Sequence, residues 1–195
     1  MSYYCFMPPK KFSDYSELNL KFSKSVDQTN LESFLELLDE VGLNNTIFSC
    51  GNGGSASTAE HFSADFSTGS ARRGRGLRVD CLSSNLSIIS QVANDIDFSE
   101  IFSQQLRVGA REKDILVVFT ASGNSKNLIL ALKAAKELGV TSVAFTGFDG
   151  GEVRRLCDLS IHTQTPFGEY GAVENIHLSL LHYLVDRFRA KSISV

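Results

Sequence analysis

The 195-residue chain contains no apolar run approaching 18 residues, so no membrane-spanning helix is expected. It also lacks any large excess of charge. The formal net charge is −3, and nothing in that balance argues for a nucleic-acid or membrane surface. The one basic cluster, Arg72, Arg73, Arg75 and Arg78, lies in a Gly-rich stretch and reads as a solvated or subunit-facing loop. The four cysteines, Cys5, Cys50, Cys81 and Cys157, form no CxxC pair, and Cys50 and Cys81 read as reduced core residues in apolar strands. Met1 to Pro9 lacks the charged-then-apolar pattern of a signal peptide. Internal repeats, low-complexity segments and a DNA-binding appendage are also missing. These absences point to a cytoplasmic globular protein. With 43% hydrophobic residues it can bury a real core. The expected division is a flexible tail over 1–13 and one domain over 14–195, including N-terminal helices.

What is present is a pair of strand–loop–helix units. Ile47 to Cys50 is followed by Gly51-Asn52-Gly53-Gly54-Ser55-Ala56-Ser57, and Ile115 to Phe119 by Thr120-Ala121-Ser122-Gly123-Asn124-Ser125. Each reads as a buried parallel strand, a tight polar loop and a helix start. Free backbone N–H groups, hydroxyl donors and a helix N-terminus together make an anion site. One such loop is as readily a capped turn, but two at matching places point to a phosphorylated small molecule.

The rest of the chain frames these units. A helical pattern over 14–43 carries apolar residues from Leu18 to Leu38, with Thr29-Asn30 as the expected cap of a second helix. Helices outside the βαβ alternation suit an oligomer interface. Strands are expected at 46–50, 77–82, 114–119, 141–146 and 158–163. Helices are expected at 54–67, 85–93, 98–109, 126–138, 150–156 and 172–190. This alternation implies an α/β fold: a five-stranded parallel sheet sandwiched by helices, with ligands at the carboxyl ends of the strands.

Two helices carry ionisable side chains at useful spacings. His61 and Asp65 are one turn apart on one face. Glu174, His177 and His182 share the last helix, where Glu174 and His182 fall on one broad side about 12 Å apart along the axis. Two histidines and two carboxylates can hold a divalent metal or act as an acid–base set; each alone is as easily a packing or solvated residue. Asn94-Asp95 can bond a polyol or belong to helix capping, for which Asp97 is better placed. His162 reads as an ordinary strand residue.

In order, Gly51-Asn52-Gly53-Gly54-Ser55, His61, Asn94-Asp95, Ser122-Gly123-Asn124-Ser125, Thr146-Gly147-Phe148-Asp149-Gly150-Gly151 and Glu174-Asn175-Ile176-His177 with His182 resemble the sugar isomerase (SIS) domain of phosphoheptose isomerases, over about residues 14 to 190. The resemblance implies a homotetramer with sites between subunits. It implies conversion of sedoheptulose 7-phosphate to D-glycero-D-manno-heptose 7-phosphate for surface polysaccharide, and zinc at the site. It also implies phosphate held by Ser55, Thr120, Ser122 and Ser125, with Ala121 in that loop. Asn52, Gly53, Gly54, Asn94 and Asp95 would surround the sugar. His61, Asp65, Glu174 and His182 match the four metal positions, and Asp65, Glu174 and His182 the catalytic ones. The chain departs from the family in having Asp65 for a glutamate, Glu174 for a glutamine, and Gly171-Ala172 for an Asp-Arg pair.

An aldose–ketose exchange needs a base, a proton shuttle for the oxygens and stabilisation of developing charge. Asp65 or Glu174 would serve as base and His182 as shuttle. Competing readings are another phosphosugar isomerase and a non-catalytic SIS module that binds a phosphosugar or serves as a scaffold. The intact His/carboxylate set favours the enzyme. A nucleotide-binding Rossmann protein fits poorly, because Gly51-x-Gly53 lacks the full GxGxxG.

Overall fold

The apolar run Ile115–Thr120 forms the central strand of a five-stranded, all-parallel sheet, and every residue in it is buried. The structure is a computed structural model that describes residues 9–42, 44–71 and 76–191. The strands are β1 (Ile47–Gly51), β2 (Val79–Cys81), β3 (Ile115–Thr120), β4 (Thr141–Thr146) and β5 (Leu159–His162), in the spatial order β2-β1-β3-β4-β5. Among the described residues the eight α-helices are α1 (Phe12–Ser23), α2 (Gln28–Glu40), α3 (Gly54–Ala64), α4 (Leu86–Asp95), α5 (Ser103–Gly109), α6 (Lys126–Glu137), α7 (Gly151–Leu156) and α8 (Tyr170–Lys191). All five expected strands and the expected helices are present, with two breaks. The first helix after β1 ends at Ala64 and continues as a single π turn over Asp65–Gly69. The segment expected as one helix over 98–109 is a 3₁₀ turn, Phe98–Glu100, followed by α5.

Helices cover both faces. On one, α2, α3 and α8 pack Phe34, Phe62, Phe66 and Phe188 onto Phe119 and Phe145. Phe119 and Phe145 stack at 4.8 Å between ring centroids, and Phe34 meets Phe145 edge-on at 5.7 Å. On the other face α4, α5, α6 and α7 cover Leu116 and Val118. Cys50 and Cys81 are free and buried as expected, and burial pushes the Cys50 thiol up.

The N-terminal helices differ from expectation. Leu31, Phe34, Leu35 and Leu38 form a stripe at helical spacing that α2 buries against the sheet of its own chain, so this face of α2 belongs to the core. Its cap is Asp27, whose Oδ1 accepts from the Thr29 N–H at 2.8 Å; Asn30 instead donates to the Ser160 carbonyl at 2.9 Å. An aspartate at the N-cap outranks threonine because its carboxylate needs no rotor to accept. The α1 helix packs on α8 through Phe22, Ala172 and Ile176. It begins at Phe12, so the last two residues of the expected tail are helical. Residues 1–8 and the arginines at 72, 73 and 75 lie outside the described residues. Among the described residues no helix is long and apolar enough to cross a membrane.

Candidate functional site

Register sets the site. Gly51 pairs with Phe119, which brings the loop after β1 and the loop after β3 side by side at the carboxyl ends of neighbouring strands. The strand order reverses between β1 and β3, the crevice where α/β sheets bind ligands. The two loops are tied across that crevice by a reciprocal amide pair. Asn52 Nδ2 donates to Asn127 Oδ1 at 3.0 Å, and Asn127 Nδ2 returns the bond to Asn52 Oδ1 at 2.8 Å. Asn127 is buried in the first turn of α6. Sequence reading missed it, because a polar residue just inside a helix looks like ordinary surface.

In the first loop Gly53 holds φ +57° and ψ −127°, a conformation that needs glycine, and opens α3. At the start of α3 the Ser55 N–H donates to the Asn52 carbonyl at 3.1 Å and the Ala56 N–H to the Gly53 carbonyl at 3.0 Å, which folds the loop onto the helix N-terminus. Ser55 is buried. In the second loop Thr120 Oγ1 accepts from the Gly123 N–H at 3.1 Å and Ser122 Oγ from the Asn124 N–H at 3.3 Å. Ser125 is the N-cap of α6 and its hydroxyl makes no capping bond, which leaves it available to a ligand. Ala121 lies in the wall of this loop, against Phe148 and Val173. The Gly-rich loop after β4 is a support for the second loop. The Val153 N–H donates to the Gly123 carbonyl at 2.9 Å and the Glu152 N–H to Asn124 Oδ1 at 3.1 Å. A side chain at Gly123 would collide with the Gly150 carbonyl.

A second cluster lies further along α3. His61 Nε2 stands 3.1 Å from His182 Nε2 and 3.3 Å from Asp65 Oδ2, and the three side chains form one group able to hold a metal ion. Donors in a tetrahedral zinc site lie about 2.0–2.1 Å from the metal and hence about 3.3 Å from each other, so these separations fit zinc. Three protein ligands leave a fourth position open, as in catalytic sites. Glu174 is outside this group. Its carboxylate lies over the first turn of α3, where a side chain at Gly54 would overlap it. That position suits a negative charge, since the helix N-terminus is the positive end of the dipole. The contacts Gly54–Glu174 and His61–His182 advance in the same direction on both helices, so α3 and α8 run parallel. Along α3, Gly54 beside the loop after β1 and His61 of the histidine pair are about 10 Å apart, seven residues at the helical rise.

The remaining residues lie elsewhere. Asn94 and Asp95 are exposed in the last turn of α4, where Asn94 Nδ2 donates to Asp95 Oδ1 at 2.8 Å. Asp97 is the cap of the 3₁₀ turn, accepting from the Ser99 N–H at 2.8 Å, as expected. His162 is held by Thr146 Oγ1 at 3.0 Å on its Nδ1. His177, which shares a face with Glu174 in sequence, is buried between Phe119 and Phe145. Burial pushes its pKa from 6.5 down to about 4, against a smaller upward pull from the Thr146 carbonyl. The unfolded chain takes up this proton near pH 6.5 and the folded chain only near 4, so the unfolded state binds more protons between those values. Stability is therefore complete above pH 6.5 and falls as the pH drops toward 4. From pH 7 to 5 the expected loss from this group is about 2 kcal/mol. Urea titrations at both pH values should show that loss in the parent and a flatter response in His177→Leu. An unchanged slope in the variant would assign the loss to other groups.

The SIS domain family matches residues 15–147. A phosphoheptose isomerase of Methylibium petroleiphilum is 32% identical over 178 residues, covering 91% of this chain and 89% of that one. A phosphoheptose isomerase of Helicobacter pylori is 31% identical over 177 residues, covering 91% of each. The structure of the phosphoheptose isomerase of Neisseria gonorrhoeae superposes with a TM-score of 0.81 at 29% identity, covering 92% of this chain and 97% of that one. Sheet order, loop pair and sequence agree, and the chain belongs to the SIS-domain family and, within it, to the phosphoheptose isomerases.

Proposed function

We propose that this isomerase converts sedoheptulose 7-phosphate to D-glycero-D-manno-heptose 7-phosphate for surface-polysaccharide heptose. The observation that carries the reading is the spacing along α3, which would make a substrate groove with the loops after β1 and β3 at one end and His61, Asp65 and His182 at the other, about 10 Å apart. An extended seven-carbon chain with a terminal phosphate has that reach. Ser55, Thr120, Ser122 and Ser125 bind the phosphate, and that remote binding energy holds the carbonyl end against the histidines. Asn52, Gly53, Gly54 and Glu174 line the sugar path near the phosphate end, and Asn94 and Asp95 are proposed sugar contacts from the family resemblance.

Asp65 takes a proton from C1 of the ketose, giving an enediol(ate), and returns it at C2. His182 moves the proton between the two oxygens. Asp65 is preferred over Glu174 as base because it stands beside both histidines, whereas Glu174 sits at the phosphate end. Zinc is the proposed cofactor, held by His61, Asp65 and His182, where it would polarise the carbonyl as a Lewis acid. Glu174 reaches that group only by turning away from Gly54.

His61 and His182 are exposed, and apolar side chains stand out on α1 (Phe12, Leu20) and around α4 (Leu86, Ile96, Phe98). These exposed faces support the proposed homotetramer, in which a neighbouring subunit closes the groove. Cytoplasmic placement follows from the proposed role in a phosphosugar pathway.

The test is turnover of sedoheptulose 7-phosphate by the purified protein, with and without a chelator and added zinc. Expected is an aldoheptose phosphate product, lost on chelation and restored by zinc. Turnover indifferent to chelation would remove zinc from the proposal, and no turnover under either condition would remove the substrate.

A further inference from the structure

The α3–α8 contact has a third rung beyond the two that define the groove. Gly54 faces Glu174, His61 faces His182, and Asp65 faces Arg189. Seven residues separate His182 from Arg189, which places both on one face of α8. We propose that Arg189 is a positioning residue that fixes the Asp65 carboxylate toward His61 and His182. The inference rests on reading that trio as the reactive end of the groove.

Arg189 Nη2 donates to the Asp65 carbonyl at 3.2 Å and lies within ion-pair reach of Asp65 Oδ1 at 3.8 Å. The other oxygen, Oδ2, is the one facing His61 Nε2 at 3.3 Å. The carboxylate is thus divided, one oxygen toward the guanidinium and one toward the histidines, and a single guanidinium nitrogen, Nη2, reaches both the backbone carbonyl and the carboxylate of Asp65. The local backbone is shaped for this contact. Asp65 begins the π turn, and such turns concentrate at functional sites. Its carbonyl also accepts from Ser70 Oγ at 2.8 Å. Gly69 lies directly beneath the guanidinium, where any side chain would strike Arg189 Nη2.

The arrangement carries a cost. The Arg189 side chain is only 14% exposed, and its Nε is buried without a hydrogen-bond partner. A buried unpaired donor is costly, and an apolar residue of similar length would avoid that cost. Its second ion pair, to the exposed Asp186 at 3.9 Å, is too long and too solvated to offset this. A guanidinium kept at such a place is explained by what it does to Asp65.

The test uses the full chain with Arg189→Met, which keeps the aliphatic body, and Arg189→Lys, which keeps the charge without the fork. Each is also made in an Asp65→Asn background. Zinc affinity of the metal-free protein is read by competition with a chromogenic chelator, and kcat and KM are measured separately. Arg189→Met is expected to weaken zinc and lower kcat by about ten- to a hundredfold with KM unchanged, the range for residues that orient metal ligands. Arg189→Lys should recover part of that loss. In the Asp65→Asn background, Arg189→Met should add no further loss. Parent-like zinc affinity and kcat in Arg189→Met would overturn the inference. So would an equal loss in the Asp65→Asn background, which would mark a merely structural role. If the parent itself binds zinc no better than His182→Ala, the reading of the trio falls, and this inference falls with it.

Discussion

His182→Ala is expected to lower kcat by about a thousandfold while leaving KM for the phosphosugar close to the parent value. The size follows from the role: a positioned group that transfers protons contributes typically about 10²–10⁴-fold. The selectivity follows from the groove. His182 stands at one end, 3.1 Å from His61, and the loops that anchor the phosphate stand at the other. Removing the imidazole takes away an interaction made at the reacting carbons and leaves the anchoring end untouched, so the loss belongs in kcat. Stability should change little, because the ring is exposed and its packing is confined to an edge-on contact with His61. Steady-state kinetics with a melting curve on the same preparation decides it. Retained turnover would remove His182 from the mechanism, and a rise in KM with unchanged kcat would make it a binding residue.

Features carried by local periodicity were legible in the sequence, and features made by long-range contacts were not. The five strands and the polar loops after β1 and β3 could be read because each strand is a short apolar run and these two end in Gly, Ser, Thr and Asn. The resemblance put Glu174 in one metal set with His61, Asp65 and His182, whereas its carboxylate lies over Gly54 and the group able to hold a metal comprises His61, Asp65 and His182. The burial of one face of α2 against the sheet was not legible, for a definable reason. Its stripe of Leu31, Phe34, Leu35 and Leu38 says only that one face is buried, and the same stripe fits the sheet or a partner equally well. The Asn52–Asn127 pair and the Asp65–Arg189 contact join residues 75 and 124 positions apart. Neither has a local signal, because an isolated asparagine or arginine on a helix is ordinary surface until the opposing element is known. The π turn at Asp65 was equally hidden, since the residues Asp65 to Gly69 continue a plausible helix and only the contact with Arg189 above Gly69 distinguishes them.

Gly53→Ala is the complementary prediction, acting at the other end of the groove. The expected result is a fall of kcat/KM by about a hundredfold or more, most of it in KM, with the His61–Asp65–His182 group undisturbed. Gly53 holds φ +57° and ψ −127°, where an L side chain costs about 1–3 kcal/mol of strain. A Cβ there meets nothing within 4 Å, so collision with a neighbour does not force the chain to unfold. Relief comes instead from rotation of the peptide that opens α3, and that rotation turns the N–H groups at the loop mouth away from a bound phosphate. The loss of about 3 kcal/mol of anchoring corresponds to the hundredfold effect. Thermal stabilisation by inorganic phosphate should vanish in Gly53→Ala and persist in His182→Ala, while zinc affinity should do the reverse. If Gly53→Ala keeps the phosphate-induced stabilisation and the parent KM, the loop after β1 is only a tight turn, and the phosphate is carried by Thr120, Ser122 and Ser125 alone.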